Sequence, residues 1–163
     1  MNLSMVFIGL LFLAFFLGPV IYIHWVQKNK SKSKQKYFFA LADKHQVTIT
    51  EYDSWGTGNY IGIDADSGKM FVLKILDGNE TTSLIDLNGV LKCRVVTVNK
   101  SFKGRSGKVL ERIDLAFTFR DPSTPEKSIT FYDVNDSSTL AEEQSLSEKW
   151  LDKVNGYLRG MEV

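Results

Sequence analysis

The sequence has few of the residues that build crosslinked or repetitive structures. Among its 163 residues there are one cysteine, Cys93, three prolines and 12 glycines. A single cysteine excludes a disulfide framework within the chain and any metal site built from several thiolates. The low proline and glycine content excludes collagen-like and low-complexity chains. The rest of the composition, 24% charged and 44% hydrophobic, is typical of an ordinary globular domain.

Acidic residues are absent from the first 36 positions, which contain five lysines. Residues 37–163 therefore hold 15 of the 20 basic residues and all 19 acidic residues, a net charge of −4, although the whole chain has +1. A stretch of this length can bury a core of its own. We expect three segments: an anchor over 1–27, a basic juxtamembrane linker with a short helix over 28–45, and a domain over 46–160.

Charged side chains are also missing from Met5 to Val26, a run of 22 residues rich in leucine, isoleucine, phenylalanine and valine. As a helix this run is about 33 Å long, which matches the ~30 Å hydrocarbon core of a bilayer. It is longer than the apolar core of a cleaved signal peptide, and no basic residue precedes it. The sequence predicts one uncleaved transmembrane helix, with Tyr22 and Trp25 in the membrane interface.

Five lysines follow the predicted span, namely Lys28, Lys30, Lys32, Lys34 and Lys36. The positive-inside rule then places the N-terminus outside and the C-terminal domain in the cytoplasm, as expected for a single-pass protein of the inner (plasma) membrane. The lysines could bind anionic lipid headgroups or serve as a topology determinant alone. We favour the second role, because the span already holds the chain in the membrane. The run lacks arginine and interleaved aromatic residues, so we expect no nucleic-acid binding.

Apolar and polar residues alternate through much of residues 46–133. The clearest case is 109–120, which predicts a strand with one apolar and one polar face. One parity holds Ile113, Leu115, Phe117 and Phe119, and the other holds Arg112, Asp114, Thr118 and Arg120. The same pattern predicts strands over 47–53, 59–65, 69–76, 82–87, 90–99 and 127–133. Residues 82–91 are the most ambiguous, since they could form a strand, a bulge and a second strand.

Helical spacing replaces alternation near the C-terminus. Thr139 with Glu142, and Ser145 with Glu148, fit the capping-box pattern. The apolar residues that follow predict an amphipathic helix over about 139–159, with Trp150 as its main core contact. The Asn155-Gly156 pair could end this helix early. A shorter helix is predicted over 33–45, where YFFALADK lacks glycine and proline.

Seven strands followed by one C-terminal helix, together with the segments YIGIDADSGKMFVLKI and SLIDLNGVLKCRVV, resemble a pleckstrin-homology-like (PH-like) domain of membrane-anchored bacterial proteins. The resemblance implies a mainly β fold, a seven-stranded antiparallel barrel or sandwich whose open end is covered by the helix. Phosphoinositide-binding members of the wider group carry a basic cluster between the first two strands. Residues 54–58, the corresponding loop here, contain no lysine or arginine, so we do not expect phosphoinositide binding.

Residues that could carry out catalysis are sparse. His24 and His45 have no cysteine or second histidine at ligand spacing. Cys93 lies in a predicted strand, in phase with Leu91 and Val95, and we expect a buried structural thiol. Asp64 and Asp66 could bind a cation, although a polar turn is their expected role. We therefore predict no catalytic residue, no cofactor and no metal site.

Two features remain as candidates for binding. Trp55 lies in a glycine-rich loop, where it could be an exposed anchor or could pack over the mouth of a barrel. A basic hairpin tip could contact lipid or an acidic partner, or be merely solvated; it comprises Lys100, Lys103, Arg105 and Lys108. The sequence favours a non-catalytic module that positions a protein partner at the membrane. The alternatives are an enzyme or small-ligand sensor with a barrel-mouth pocket, and an envelope assembly factor acting through its transmembrane helix.

Overall fold

A computed structural model describes residues 32–76, 78–101, 108–136 and 142–161. The chain divides into two compact units, Met1–Leu41 and Ala42–Val163. The predicted span over Met5–Val26, with Tyr22, Trp25, Lys28 and Lys30, lies outside the described residues. Within the part of the chain that the structure describes, no helix is both long enough and apolar enough to cross a membrane.

The first described helix, α1, covers residues 32–44 and confirms the predicted short helix. Lys32, Lys34 and Lys36 lie in it with exposed side chains. The helix ends in the second unit, where Gln46 has a left-handed backbone with φ of 58°. The N–H groups of Gln46 and Val47 donate to the carbonyl oxygens of Asp43 and Ala42, each at 3.0 Å. This is a Schellman stop, and the buried side chains of Ala42 and Val47 supply its apolar contact.

In the described part of the chain, seven antiparallel strands form two sheets. The first sheet has the order β1-β2-β3-β4 and the second has the order β5-β6-β7. The strands are β1 (Glu51–Trp55), β2 (Asn59–Asp64), β3 (Lys69–Leu76), β4 (Asn79–Asp86), β5 (Val90–Ser101), β6 (Lys108–Phe119) and β7 (Lys127–Asp133). A short 3₁₀ turn over Leu87–Gly89 joins the sheets, and helix α2 (Glu143–Gly160) follows. The mainly β fold with a C-terminal helix is confirmed. Among the described strands the sheets remain separate, so the closed-barrel alternative is wrong.

The predicted bounds of β3 and β7 agree with the structure, but β1 begins at Glu51 rather than at residue 47. The cause lies in the preceding segment, where Val47 completes the stop of α1. The N–H of Thr48 then donates to a carboxylate oxygen of Asp64 at 3.0 Å. The backbone N–H groups of Val47 and Thr48 therefore form hydrogen bonds with the end of α1 and with the turn at Asp64, and these residues do not extend the strand.

The main core lies between the two sheets and under α2. Ile61 and Met70 of the first sheet, Phe117 of the second, and Trp150 and Val154 of the helix belong to one buried cluster. Trp150 has no exposed surface, which confirms its predicted role as the main core contact of the helix. The alternation in β6 is also confirmed on its apolar side, because Ile113, Leu115 and Phe117 are buried and Phe119 is partly buried against the same core.

The opposite face of the first sheet is apolar as well. Tyr60, Phe71 and Leu73 are buried but do not belong to the cluster between the sheets. The His45 ring lies 5.3 Å from the Phe71 ring, so the residues that follow α1 cover part of this face. The expectation of one solvated face is therefore wrong for the first sheet, because side chains on both of its faces are buried.

Helix α2 is attached to the edge of the first sheet by charged and polar contacts. The indole N–H of Trp150 donates to Asp53 Oδ2 at 3.0 Å, and Lys149 Nζ lies 2.8 Å from Asp53 Oδ1. Lys153 also forms an ion pair with Glu51. Side chains of α2 are thus tied to side chains of β1.

The predicted bounds of α2 need correction. The helix begins at Glu143, with Glu142 at the cap position, so Ser145 lies inside its first turn and does not mark the start. Thr139, the other predicted capping residue, lies outside the described residues. Gly156 does not end the helix, which continues to Gly160, because tertiary contacts outweigh the cost of about 1 kcal/mol that glycine brings to a helix interior.

Candidate functional site

The thiol of Cys93 is buried in β5, with 4% of its surface exposed. Burial raises the pKa of Cys93 to about 12, and the neighbouring Arg94 offsets only part of that rise. The thiolate is the nucleophilic form of cysteine, so this side chain stays protonated and unreactive at neutral pH. The expectation of a buried structural thiol is confirmed.

Asp64 organises a tight turn after β2. Its carboxylate accepts the backbone N–H groups of Thr48, Asp66 and Ser67 at 3.0 to 3.1 Å. The hydrogen bond from Ser67 is the largest cause of a lowered pKa of Asp64. The carboxylate thus serves the backbone of a polar turn, as expected. Among the described residues, no group of three or more histidine, cysteine, aspartate or glutamate side chains could hold a metal ion.

Trp55 is at the end of β1 and only 6% exposed. Its ring stacks on Phe131 with 4.9 Å between centroids, and its indole N–H donates to the carbonyl oxygen of Phe131 at 3.0 Å. The alternative that Trp55 is an exposed anchor is wrong, because the ring packs in the core and its polar atom bonds to another strand. An adjoining cleft of about 120 Å³ is smaller than the 300–1,000 Å³ typical of small-molecule sites.

The predicted basic hairpin tip is described only in part. Lys100 Nζ lies 3.6 Å from Glu111 Oε1 across the β5–β6 pair, so its charge has a partner on its own sheet. Lys103 and Arg105 lie outside the described residues, as does the side chain of Lys108. The role of this tip as a contact for lipid or protein stays a prediction.

A larger groove runs between the beginning of β5 and the last turns of α2. We call it the β5–α2 groove, and its volume is about 410 Å³. Its lining consists of Leu91, Lys92, Asp152, Asn155, Leu158 and Arg159. The groove is open to solvent along much of its length, so it is a surface for a contact rather than an enclosed pocket. None of these residues was a binding candidate in the sequence.

Leu91 is the most exposed large hydrophobic side chain among the described residues, with 58% of its surface accessible. A register shift produces this exposure. Val90 pairs with Phe119 and Lys92 pairs with Thr118, which leaves Leu91 without a partner on β6. An inserted residue of this kind reverses the alternation locally, so Val90 is buried and Leu91 points outward. The predicted common phase of Leu91 and Cys93 is therefore wrong.

The groove combines an apolar base with charges of both signs. Leu158 is 7% exposed and belongs to the core cluster. Lys92 and Arg159 are exposed basic residues, and Asp152 is an exposed acidic one. Arg159 Nε donates to the Asn155 carbonyl oxygen at 3.2 Å, which holds the guanidinium near the helix end. An apolar centre with a polar rim is the arrangement found in protein–protein interfaces.

No family model, curated protein or solved structure matches this chain. The β5–α2 groove therefore rests on its own geometry, and the PH-like assignment stays a prediction. One sequence signal did point to this region, namely the ambiguity of residues 82–91. The structure resolves the ambiguity as a strand, a 3₁₀ turn and a second strand with a register shift at its beginning.

Proposed function

We propose that this chain is a single-pass, membrane-anchored interaction module with a PH-like domain, which positions a protein partner at the cytoplasmic face of the membrane without catalysing a reaction. The observation that carries the proposal is the exposed Leu91 in the β5–α2 groove. Large apolar side chains that stand in a polar surround are typical anchors of protein interfaces.

The N-terminal segment supports the membrane part of the proposal. The uncharged run from Met5 to Val26 is long enough to span a bilayer, and the lysines after it favour a cytoplasmic domain. The domain beyond residue 36 carries a net charge of −4, so an anionic leaflet repels it weakly while attracting the lysines. A protein partner therefore suits this domain better than a lipid ligand.

Each part of the groove has a distinct role in this proposal. Leu91 inserts into an apolar recess of the partner, and Leu158 provides the apolar base on which the partner packs. Lys92 and Arg159 select a partner segment that carries acidic side chains next to its apolar contact. Removing an interface anchor of this type costs about 2 kcal/mol or more in binding free energy, which is roughly a 30-fold loss of affinity.

Site-specific photocrosslinking in the full chain tests the proposal. A photoreactive amino acid at position 91 should capture one dominant protein in cells. The same amino acid at position 134 is the control, because Val134 is also exposed, at 41%, but lies after β7. Equal capture of the same protein at both positions, or no capture at position 91, would count against the groove.

Binding of the purified partner then decides whether the contact is specific. We expect Leu91→Glu to weaken affinity at least tenfold, while Val134→Glu changes it less than twofold. Unchanged affinity for Leu91→Glu would refute the assignment of Leu91 as the anchor. An enzyme or small-ligand sensor that works through the cleft beside Trp55 has less support, because that cleft encloses only about 120 Å³.

A further inference from the structure

The two sheets end at strands that face a common cleft. β4 is the last strand of the first sheet and β7 is the last strand of the second. A cleft of about 290 Å³ lies between them and is lined by Thr82–Ile85 of β4 and Lys127–Ile129 of β7. We call it the β4–β7 cleft. It is separate from the β5–α2 groove and shares no lining residue with it.

The register shows which backbone groups of β4 point toward this cleft. The N–H of Leu87, directly after β4, donates to the Gly68 carbonyl oxygen at 2.8 Å, so Leu87 faces β3. Backbone groups alternate in direction along an antiparallel strand, and the β3–β4 pairing has no register shift. Thr82 and Leu84 therefore direct their N–H and C=O groups away from β3. Among the described residues these groups have no partner.

Each of the other sheet edges carries a feature that hinders strand pairing, whereas the middle of β4 does not. On β1, Asp53 and Glu51 form ion pairs with Lys149 and Lys153 of α2, which places charged side chains beside that edge. β5 and β7 each contain an inserted residue, at Leu91 and Phe131 respectively, and inserted residues, lysine and proline are the usual devices that prevent strand pairing.

In contrast, β4 pairs with β3 over eight consecutive positions. Its central residues 81–85 read Thr-Thr-Ser-Leu-Ile, with no proline and no charged residue. An edge segment with no inserted residue and no charged side chain is a template for strand addition.

We propose that β4 accepts an extended segment of a partner protein as an additional strand, and that this segment places an acidic side chain beside Lys127. Hydrogen bonds to the backbone groups of Thr82 and Leu84 would supply most of the affinity. Side chains on alternate positions of the added strand would contact Leu84, which is 38% exposed. The acidic preference follows from Lys127, the one charged residue that lines the described cleft.

In two registers, a second copy of this chain fits the edge less well than an acidic segment does. Two β4 strands paired antiparallel about Thr82 would place Glu80 of each copy against Leu84 of the other, which brings a carboxylate next to an apolar side chain. Pairing about Ser83 would place Glu80 opposite Asp86, and like charges directly opposite destabilise a sheet. A partner segment has no such restriction on its sequence.

Hydrogen exchange of the full chain in detergent micelles tests the proposal with a defined probe. The probe is an octapeptide of alternating valine and threonine, blocked at both ends, with one central glutamate. Without peptide, the amides of Thr82 and Leu84 should exchange fast and those of Ser83 and Ile85 slowly. With peptide, the amides of Thr82 and Leu84 should become protected. Fast exchange in both cases would overturn the proposal, as would protection that rises with protein concentration alone, which would indicate pairing of two copies.

Three controls assign the contacts. A peptide with lysine in place of glutamate should bind about threefold more weakly, as expected for an exposed ion pair worth up to about 1 kcal/mol. Lys127→Glu should reverse that preference, while Lys92→Glu in the β5–α2 groove should leave it unchanged. An unchanged preference in Lys127→Glu would refute the acidic specificity.

The backbone contact is tested from both partners. Thr82→Pro removes an outward N–H and should abolish protection, whereas Thr82→Val keeps the N–H and should not. If Thr82→Pro fails to fold, the peptide can be changed instead of the protein. Methylating the peptide nitrogens that face β4 removes the N–H groups that would donate to the β4 carbonyl oxygens. Binding of the N-methylated peptide would overturn strand addition. Since the β5–α2 groove is a different surface, failure here leaves the Leu91 experiment to be decided separately.

Discussion

Replacing Gly68 with alanine tests how α2 is held over the hairpin of β2 and β3. Gly68 has a left-handed backbone with φ of +66°, and an added Cβ would lie 2.1 Å from the hydroxyl oxygen of Tyr157 and 2.8 Å from its Cζ. The Tyr157 hydroxyl also donates to Asn88 Oδ1 at 3.3 Å. Gly68→Ala therefore forces a side chain of α2 away from the turn and breaks that hydrogen bond.

The expected loss of stability has two parts. A left-handed backbone costs alanine about 1–2 kcal/mol. Displacement of Tyr157 removes a hydrogen bond worth about 0.5–1.5 kcal/mol together with part of its packing. We expect Gly68→Ala to lower the free energy of unfolding by about 2–4 kcal/mol. Gly78→Ala is the matched control, because Gly78 has φ of +79° but no atom within 4 Å of an added Cβ, and it should lose only the backbone part.

Denaturant unfolding of the full chain, followed by the fluorescence of the buried Trp55 and Trp150, measures both variants. Gly68→Ala should be at least about 1 kcal/mol less stable than Gly78→Ala, given the extra contact that it breaks. In a Tyr157→Ala background the cost of Gly68→Ala should fall to that of Gly78→Ala, because the obstructing ring is gone. Equal costs in the native background would refute the contact between the turn and α2.

Three further predictions concern single side chains. Gln46→Gly should raise the free energy of unfolding by about 1 kcal/mol, because glycine adopts the left-handed stop of α1 without strain; a loss of stability would contradict that backbone. Cys93, with its pKa raised to about 12, should resist iodoacetamide at pH 8 until the chain unfolds, and rapid alkylation of folded protein, detected by mass, would contradict its burial. Asp64 has a pKa lowered from 3.8. Its contribution to the free energy of unfolding is therefore complete above the unfolded-state pKa and is lost as the pH falls through the folded-state pKa. The free energy of unfolding should fall less steeply with acid in Asp64→Asn than in the exposed control Asp66→Asn.

Alternation predicted which residues of β6 and β7 lie in strands and which of them face the core. In β6, Ile113, Leu115 and Phe117 face the core as their parity indicated, and the bounds of β7 agree with the structure. A strand that packs against a core on one side must repeat every two residues, so the pattern contains the required information.

The same reasoning fails where burial does not follow one face. Asp114 belongs to the predicted polar parity of β6 but is 5% exposed, and its carboxylate is paired with Arg112 at 2.8 Å. The first sheet is buried on both faces, since Phe71 and Leu73 are buried on the face opposite the core cluster. Neither case can be predicted from hydrophobicity alone, because each depends on what packs over the sheet.

Trp55 was predicted as a binding candidate but is buried, whereas Leu91 was assigned to the core but is exposed. Aromatic residues near glycine suggest a loop, yet the indole of Trp55 finds a carbonyl oxygen 76 positions away on β7, a contact that depends on tertiary structure. Leu91 shares the parity of the buried Cys93 but lies in a one-residue register shift. The shift exchanges the directions of Val90 and Leu91, so the residue that alternation assigns to the core is the one available for binding.

Both proposed contact surfaces lie at sheet edges, and this placement has a physical basis. Alternation reports which face of a strand is buried, but the order of strands decides which strands lie at an edge. In this fold β5 is an edge strand with an inserted residue, and it exposes a side chain, Leu91. β4 is an edge strand without an inserted residue, and it exposes backbone groups. The two edges are thus suited to different kinds of contact, an apolar anchor in one case and an added strand in the other, and a partner that used both would have to combine a structured surface with an extended segment.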